Sequence, residues 1–347
     1  MVDRTMLLWD GVEGGDANAR QGSLETQLAL PREAWQVGDL VRFARTTDVR
    51  LVSLMHVGGD GWLKSLDFVP RNESHLEDVL RGGERADGSS IFRGLGIPAG
   101  ASDVTLRPRI ASAFLNPFTE ERTLVVMCSH ADREGLPLPQ SPDTIVRRAW
   151  RRLHAETGVN LWALGEVEFF LGKRADEGDV YGADECGYHA TAPFVFGEGL
   201  RRRAMTALAA IGIPVKYGHS EVGYIGSTEP GGPIWEQHEI ELDLLPLPDA
   251  AEATVLTQWV VRSLAHAAGM KCQTAPMMGA GHAGNGLHFH MSPRVRGEHR
   301  GGRGPDRQLT EPTQWLLGGL VRHGGALMAF GNRVPDSFLR LGQGKEA

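Results

Sequence analysis

The sequence predicts an α+β fold in two domains, and three observations predict it. The chain has 347 residues, more than one ordinary domain holds. Strand-like and helix-like segments are intermixed without a regular strand–helix–strand period, which argues α+β. A Pro-rich junction, Leu136-Pro137-Leu138-Pro139-Gln140-Ser141-Pro142, separates a strand-dominated first part from a second part with longer helices.

Residues 1–36 are rich in Gly, Asp, Asn and Gln with weak periodicity, and read as an N-terminal extension with little structure of its own. Residues 37–140 form the first domain. In it, Arg50-Leu51-Val52-Ser53-Leu54-Met55-His56-Val57 is an apolar, β-compatible run, Gly58-Gly59-Asp60-Gly61 is a turn, and the pattern resumes from Trp62 to Val69, predicting a hairpin. Leu124-Val125-Val126-Met127-Cys128 is a short buried strand. Residues 141–347 form the second domain. Ser141 caps a helix with Pro142 at its first position and Gly158 past its end. Further helices are expected over about 198–211, 248–269 and 312–323, with strands near 162–171, 213–217, 236–245, 271–275 and 286–292. Residues 294–307, with Arg294, Arg296, Arg300, Arg303 and Arg307 among Gly and Pro, read as a solvated basic loop.

Net charge is −7, from 36 basic and 43 acidic residues, which makes nucleic acid or an anionic membrane a poor general partner. Hydrophobic content is 41% and charged content 23%, the profile of a soluble globular protein. Cys128, Cys186 and Cys272 are widely spaced with no Cys-x-x-Cys pair, so neither a disulfide framework nor a thiolate zinc site is indicated. No apolar stretch is long enough to span a bilayer and the N-terminus lacks a signal-peptide core. A cytoplasmic setting is the expectation.

The chemistry lies in the second domain. In Gly165-Glu166-Val167-Glu168-Phe169-Phe170, a strand puts Glu166 and Glu168 on one face and Val167 and Phe169 on the other. In Gly284-Asn285-Gly286-Leu287-His288-Phe289-His290, the two histidines share a face in the same way. Glu221 and Glu239 lie between these segments. A carboxylate in a strand as apolar as Leu161 to Leu171 needs a cation or hydrogen bonds to offset its desolvation. Paired carboxylates and imidazoles from different strands suit a hard divalent cation, Mg²⁺ or Mn²⁺, beside a phosphate. Each motif alone has a plainer alternative: a solvent-facing edge for Glu-x-Glu, two ordinary histidines for His-x-His.

The order of the motifs resembles the glutamine synthetase family, over about residues 37–347. Asp87-Gly88-Ser89-Ser90-Ile91 with Ser102-Asp103-Val104-Thr105-Leu106-Arg107-Pro108 resembles its N-terminal signature. Glu166 and Glu168 fall in its Gly-x-Glu-x-Glu-Phe-Phe strand. His219-Ser220-Glu221-Val222 and Glu236-Gln237-His238-Glu239-Ile240 resemble two further glutamate motifs, Gly284 to Ser292 its Gly-rich His-x-His signature, and Asp336-Ser337-Phe338-Leu339-Arg340-Leu341 its Asn-Ser-Tyr-Lys-Arg-Leu. The resemblance implies a β-grasp-like N-terminal domain and a larger catalytic domain whose antiparallel strands form an active-site funnel flanked by helices. It implies a homo-oligomeric ring with active sites between subunits. The implied reaction is an ATP-dependent ligation in which the γ-glutamyl phosphate of glutamate, or a related amino acid, is attacked by ammonia or another amine. By position, Glu168, Glu221 and Glu239 would hold one Mg²⁺ or Mn²⁺, and Glu166 and His288 would contribute to a second. His290 and Ser292 would serve ATP, Gly284 and Arg340 the amino acid. Asp87 would reach the ammonium site of a neighbouring subunit, and Glu346 falls at the active-site flap.

Three departures from the family pattern stand out. Ala283 replaces an asparagine that touches the amino-acid substrate. Gly223 to Ile234 lengthens the spacing between two glutamate motifs, leaving Glu229 as a competitor of Glu239; Gln237-His238-Glu239 favours Glu239. The resemblance also implies a C-terminal segment beyond Ala347, so the catalytic domain is expected to be incomplete here, with apolar surface left exposed. Two other readings stay open: a non-catalytic structural or regulatory member of the family, and a zinc hydrolase using His288 and His290. The excess of carboxylates disfavours the latter.

Overall fold

The computed structural model describes residues 23–97, 102–176 and 185–341. The first part contains α1 (Leu24–Leu28), α2 (Val37–Thr46), β1 (Leu51–Val57), β2 (Leu63–Phe68), α3 (Glu73–Gly82), β3 (Glu84–Asp87), α4 (Gly88–Ile91), β4 (Asp103–Pro108), β5 (Phe114–Leu115) and β6 (Thr123–Ala131). Its sheet runs β2-β1-β6-β4-β3, with β5 also on β6. The predicted hairpin is β1–β2, antiparallel from Val52 opposite Phe68 to Val57 opposite Leu63.

Two parts of the sequence reading change here. The first domain is not only strands: α2 buries Val37, Leu40, Val41 and Ala44 on one face, the three-and-four spacing of an amphipathic helix. Asn72 caps α3 by accepting from the His75 N–H. The extension read over 1–36 is folded where it is described, from residue 23. Leu24 and Trp35 are buried in the core beneath α2 and α3, because two large apolar side chains so close to α2 find a ready apolar surface there. Residues 1–22 lie outside the described residues.

The second part contains α5 (Pro142–Thr157), β7 (Val159–Arg174), α6 (Glu198–Ala210), β8 (Val215–Ile225), β9 (Pro233–Leu242), β10 (Leu245–Pro246), α7 (Leu247–Ala267), β11 (Lys271–Gln273), β12 (Leu287–Val295), β13 (Glu298–His299), α8 (Glu311–Arg322), α9 (Gly324–Gly331) and α10 (Pro335–Leu341). Its antiparallel sheet runs β13-β12-β7-β9-β8, with β10 and β11 also on β7. As read from sequence, α5 begins with Pro142 and ends at a left-handed Gly158; Ser141 stands at the N-cap but makes no side-chain capping bond, its hydroxyl being 2.8 Å from His130 Nδ1 instead.

The core explains how the parts join. Val52 and Leu54 of β1, with Leu124 and Val126 of β6, face α2 and α3. Their neighbours Met55, Val125 and Met127 face the other way, into a second cluster with Phe169 and Leu171 of β7, Ile240 and Leu242 of β9, and the apolar faces of α6 and α7. A strand buried on both faces reads as a continuous apolar run, which is why the period of two is invisible in β1 and β6. Phe169 and Leu171 are fully buried, each worth about 1.5–3 kcal/mol. At the far end, α8 and α9 bury no residue, and Trp315, Val321, Phe330 and Phe338 lie exposed.

Candidate active site

The site is the face of the second sheet turned away from this core. Register alone assembles it. On β7 and β9, Glu166 lies opposite Glu241 and Glu168 opposite Glu239. On the outer side of β9, β8 sets Tyr217 opposite Glu241 and His219 opposite Glu239. On the other side of β7, β12 sets His288 opposite Glu166. Since side chains alternate, the faces that carry Val167, Phe169 and Ile240 into the core leave four carboxylates in a ladder on the opposite side.

The carboxylates are held tightly. Glu168 is buried, and its Oε2 accepts from the Gly286 N–H and from Gln237 Nε2, both at 2.8 Å. Burial pushes its carboxyl up to about 7; the Gly286 N–H opposes this, and the charges of Glu239 and Glu221 reinforce it. Glycine is required at 286 by close approach, since a Cβ there would lie 2.6 Å from Glu168 Oε1. Gln237 also donates to the Gly284 carbonyl at 2.9 Å and accepts from the Gly223 N–H at 3.1 Å, tying β9 to the Gly-rich loop and to β8. Glu166 is engaged on both oxygens, by His288 Nδ1 at 2.8 Å and His290 Nε2 at 2.6 Å.

Glu221 sits where β8 departs from regular register between Ser220 and Tyr224. His219 bridges it to Glu239, with Nδ1 3.4 Å from Glu221 Oε1 and Nε2 3.4 Å from Glu239 Oε1. The Glu239 carboxylate is the chief cause of a raised His219 pKa, against the effect of burial. Ligand atoms of His219, Glu221 and Glu239 lie within 4.8 Å of one another, and so do those of Glu166, Glu239 and Glu241. The oxygen-rich donor set, with imidazoles at its edge, fits a hard divalent cation. The rings of Tyr188, His189 and His219 stack or meet edge-on beside it, 4.2–5.3 Å apart.

Other residues expected at the site are placed as follows. Glu229 is exposed in the loop joining β8 to β9, whereas Glu239 faces Glu168. The longer spacing is thus a longer hairpin, with Tyr224 opposite Glu236 and Ile225 opposite Trp235. Arg340, on α10, packs its alkyl chain where a Gly284 side chain would be, with Cδ 2.6 Å from the position of a Cβ. Its buried Nε has no hydrogen-bond partner among the described residues. Ala283 donates its N–H to Glu185 Oε2 at 2.9 Å. Ser292 is buried, and its hydroxyl is 2.6 Å from His299 Nδ1, because the tight β12–β13 hairpin folds His299 back onto it. Asp87 is on the other sheet, at the end of β3. It caps α4, accepting from the Ser89 N–H at 3.0 Å and the Ser90 hydroxyl at 2.6 Å. The Ser90, Ser89 and Ser102 hydroxyls hold it well below the usual carboxylate range. Glu346 lies outside the described residues.

The sequence reading missed His219 and Glu241 as members of the site. Both lie two residues from a residue that was singled out, Glu221 and Glu239 respectively, so alternation along β8 and β9 was the available signal. The aromatic array around Tyr188 had no such signal, because it depends on a loop meeting a strand.

Comparison with known proteins gives the family and the fold. Residues 139–347 match the family model for the glutamine synthetase catalytic domain. The chain is 27% identical over 318 residues to a glutamine synthetase of Methanococcus maripaludis, covering 90% of this chain and 68% of that protein. It is 29% identical over 346 residues to a 3-hydroxylaminophenol mutase of Cupriavidus pinatubonensis, covering 90% and 70%. Among solved structures, a glutamine synthetase of Plasmodium falciparum superposes with a TM-score of 0.75 at 20% identity, covering 90% of this chain and 64% of that one. A ligand-free GmaS does so with 0.73 at 19%, covering 87% and 68%. The chain spans about two thirds of the length of these proteins. No helix among the described residues is long and apolar enough to cross a membrane. With the family match running over more than half of its residues and through every strand of the carboxylate ladder, the chain belongs to the glutamine synthetase family.

Proposed function

We propose that this chain carries the catalytic face of an ATP-dependent carboxylate–amine ligase. The observation that supports it most is the ladder of Glu166, Glu168, Glu239 and Glu241, flanked by His219, Glu221, His288 and His290. A free carboxylate is a poor acyl donor because its oxygen leaves badly. In the proposed reaction a carboxylate oxygen of glutamate, or of a related amino acid, attacks the γ-phosphorus of ATP and ADP leaves. The amine then attacks the acyl phosphate, phosphate leaves with the former carboxylate oxygen, and a proton is released.

Glu168, Glu221 and Glu239 would hold one Mg²⁺ or Mn²⁺, and Glu166 and His288 would contribute to another. Such cations neutralise charge on transferring phosphate oxygens. His290, exposed at the edge of the ladder, would meet the nucleotide phosphates. Arg340 beside Gly284 offers a bidentate fork to the substrate carboxylate. Asp87, supplied by a neighbouring subunit of a homo-oligomeric ring, is held ionised by its hydroxyl partners and would attract ammonium; Glu346 would cover the site. With Ala283 lacking an amide side chain, selection of the amino acid falls to Arg340 and the Gly-rich loop.

A second reading has one observation in its favour. A relative of similar identity is named as a mutase, so the same face could promote a rearrangement that consumes no ATP. ADP release measured across a panel of amino acids and amines, with Mg²⁺ or Mn²⁺, separates the two. The ligase reading expects ADP formation that needs both an amino acid and a cation. Absence of cation-dependent nucleotide binding, measured calorimetrically with a nonhydrolysable ATP analogue, overturns it.

A further inference from the structure

Glu241 is a member of the ladder to which the ligase reading gives no task. It is 2% exposed, directly opposite Glu166. Its Oε1 is held by the Lys216 ammonium of β8 at 2.5 Å, and the Tyr217 hydroxyl leans toward the same carboxylate. Its Oε2 is buried and has no hydrogen-bond partner. A buried carboxylate oxygen left unpaired costs free energy that a neutral side chain at the same position would avoid. The unpaired oxygen belongs to a group whose ligand atoms lie within 4.8 Å of those of Glu166 and Glu239. One oxygen held by an outer partner and the other left without one, in a carboxylate grouped with two more, is an arrangement that suits a metal-ligating carboxylate.

We propose that Glu241 is a ligand of a second divalent cation, held with Glu166 and Glu239 beside the cation of Glu168, Glu221 and Glu239. The inference rests on the reading of this face as a metal centre and assigns it a residue that neither the motifs nor the family resemblance supplied. Both oxygens of Glu166 are shared with His288 and His290, whereas Glu241 has one oxygen with no hydrogen-bond partner. With His288 contributing beside Glu166, the carboxylates of Glu166, Glu239 and Glu241 keep the set rich in oxygen, which favours Mg²⁺ or Mn²⁺ over zinc.

The test is a Mn²⁺ titration of the full chain, read by calorimetry and by the electron paramagnetic resonance of free Mn²⁺. The unsubstituted chain is expected to bind two Mn²⁺. Glu241→Gln, isosteric and uncharged, should lose one of them or weaken it at least tenfold while retaining the other. Glu221→Gln should do the reverse, sparing the Glu241 site. Circular dichroism checks that each variant folds. Should Glu241→Gln fail to fold, Glu241→Asp, which withdraws the oxygen by one methylene, is expected to weaken the same site. Two Mn²⁺ bound by the Glu241 variant within twofold of the parent affinities overturns the inference and leaves the metal centre standing. No Mn²⁺ bound by the parent overturns both.

Discussion

Glu168 shows what a single residue contributes at this site. Its carboxyl is buried between two other carboxylates, and two hydrogen bonds do not cancel the cost of ionising it. Without a cation, the folded chain therefore keeps a proton on Glu168 up to about pH 7, while the unfolded chain releases it near the ordinary value of 4.5. Between these values the folded state binds more protons, so this group's contribution to stability falls as pH rises. A cation bound at Glu168 would have to displace that proton, so its affinity is expected to rise with pH through the same window. Glu168→Gln is expected to weaken Mn²⁺ binding by at least the ~10–100-fold that loss of an outer-shell partner costs, and to flatten the pH dependence of what remains. Calorimetric titrations from pH 5.5 to 8.5 would read both effects; an unchanged affinity would remove Glu168 from the metal centre. The pairing of Glu166 with Glu168 and of His288 with His290 was legible in the sequence, because alternation along one strand is a local property. That Glu168 faces Glu239 rather than Glu229 was suggested by the Gln237-His238-Glu239 motif and depends physically on register.

At the scale of the element, β7 organises the second sheet, with β9, β10, β11 and β12 all pairing to it. It runs from Val159 to Arg174, longer than the stretch expected near 162–171, because β12 pairs with it back to Val159 and β9 out to Arg174. Helix α7 crosses it at Gly165, where a Cβ would lie 2.6 Å from Thr254 Oγ1. Thr254 is buried and bonded to the Ala250 carbonyl at 2.9 Å, so it cannot easily yield. Gly165→Val is expected to destabilise the fold by about 1–3 kcal/mol through overpacking, and Gly165→Ala by less. Urea unfolding would measure this, and a Val variant as stable as the parent would show that α7 does not press on β7 there. The glycine was visible beside Glu166 in the sequence, but its partner, about ninety residues later, was not.

At the scale of the whole molecule, a buried pair of histidines connects the two parts of the chain. His56 Nδ1 of β1 is 3.0 Å from His130 Nε2 of β6, and His130 Nδ1 is 2.8 Å from the hydroxyl of Ser141 at the start of α5. Burial is the chief cause that lowers His56 to about 4 and His130 to about 3, against an ordinary value of 6.5. Below about pH 6.5 the unfolded chain takes up protons that the folded pair refuses, so this pair's stabilisation is complete at neutral pH and is lost as pH falls toward 4 and 3. Glu168 contributes with the opposite sign over part of that range. The cleanest test is therefore urea unfolding in a Glu168→Gln background, where the midpoint should fall steadily from pH 6.5 to 4. Replacing both histidines with asparagine should flatten that slope, and an unaltered slope would count against the pair as its source.

The sequence by itself determined the fold class, the first hairpin, the limits of α5, and the carboxylates and imidazoles that the candidate site brings together. These follow from periods of two and from a proline and a glycine at helix ends, which act over a few positions. The sequence reading did not give α2 and α3 within a first domain read as strands, the burial of Leu24 and Trp35, or the inclusion of His219 and Glu241 in the site. Tertiary structure decided these, because burial and register depend on which distant surface a segment meets. Only the pairing of β7 with β9 turns two glutamate motifs about seventy residues apart into one ladder of charge.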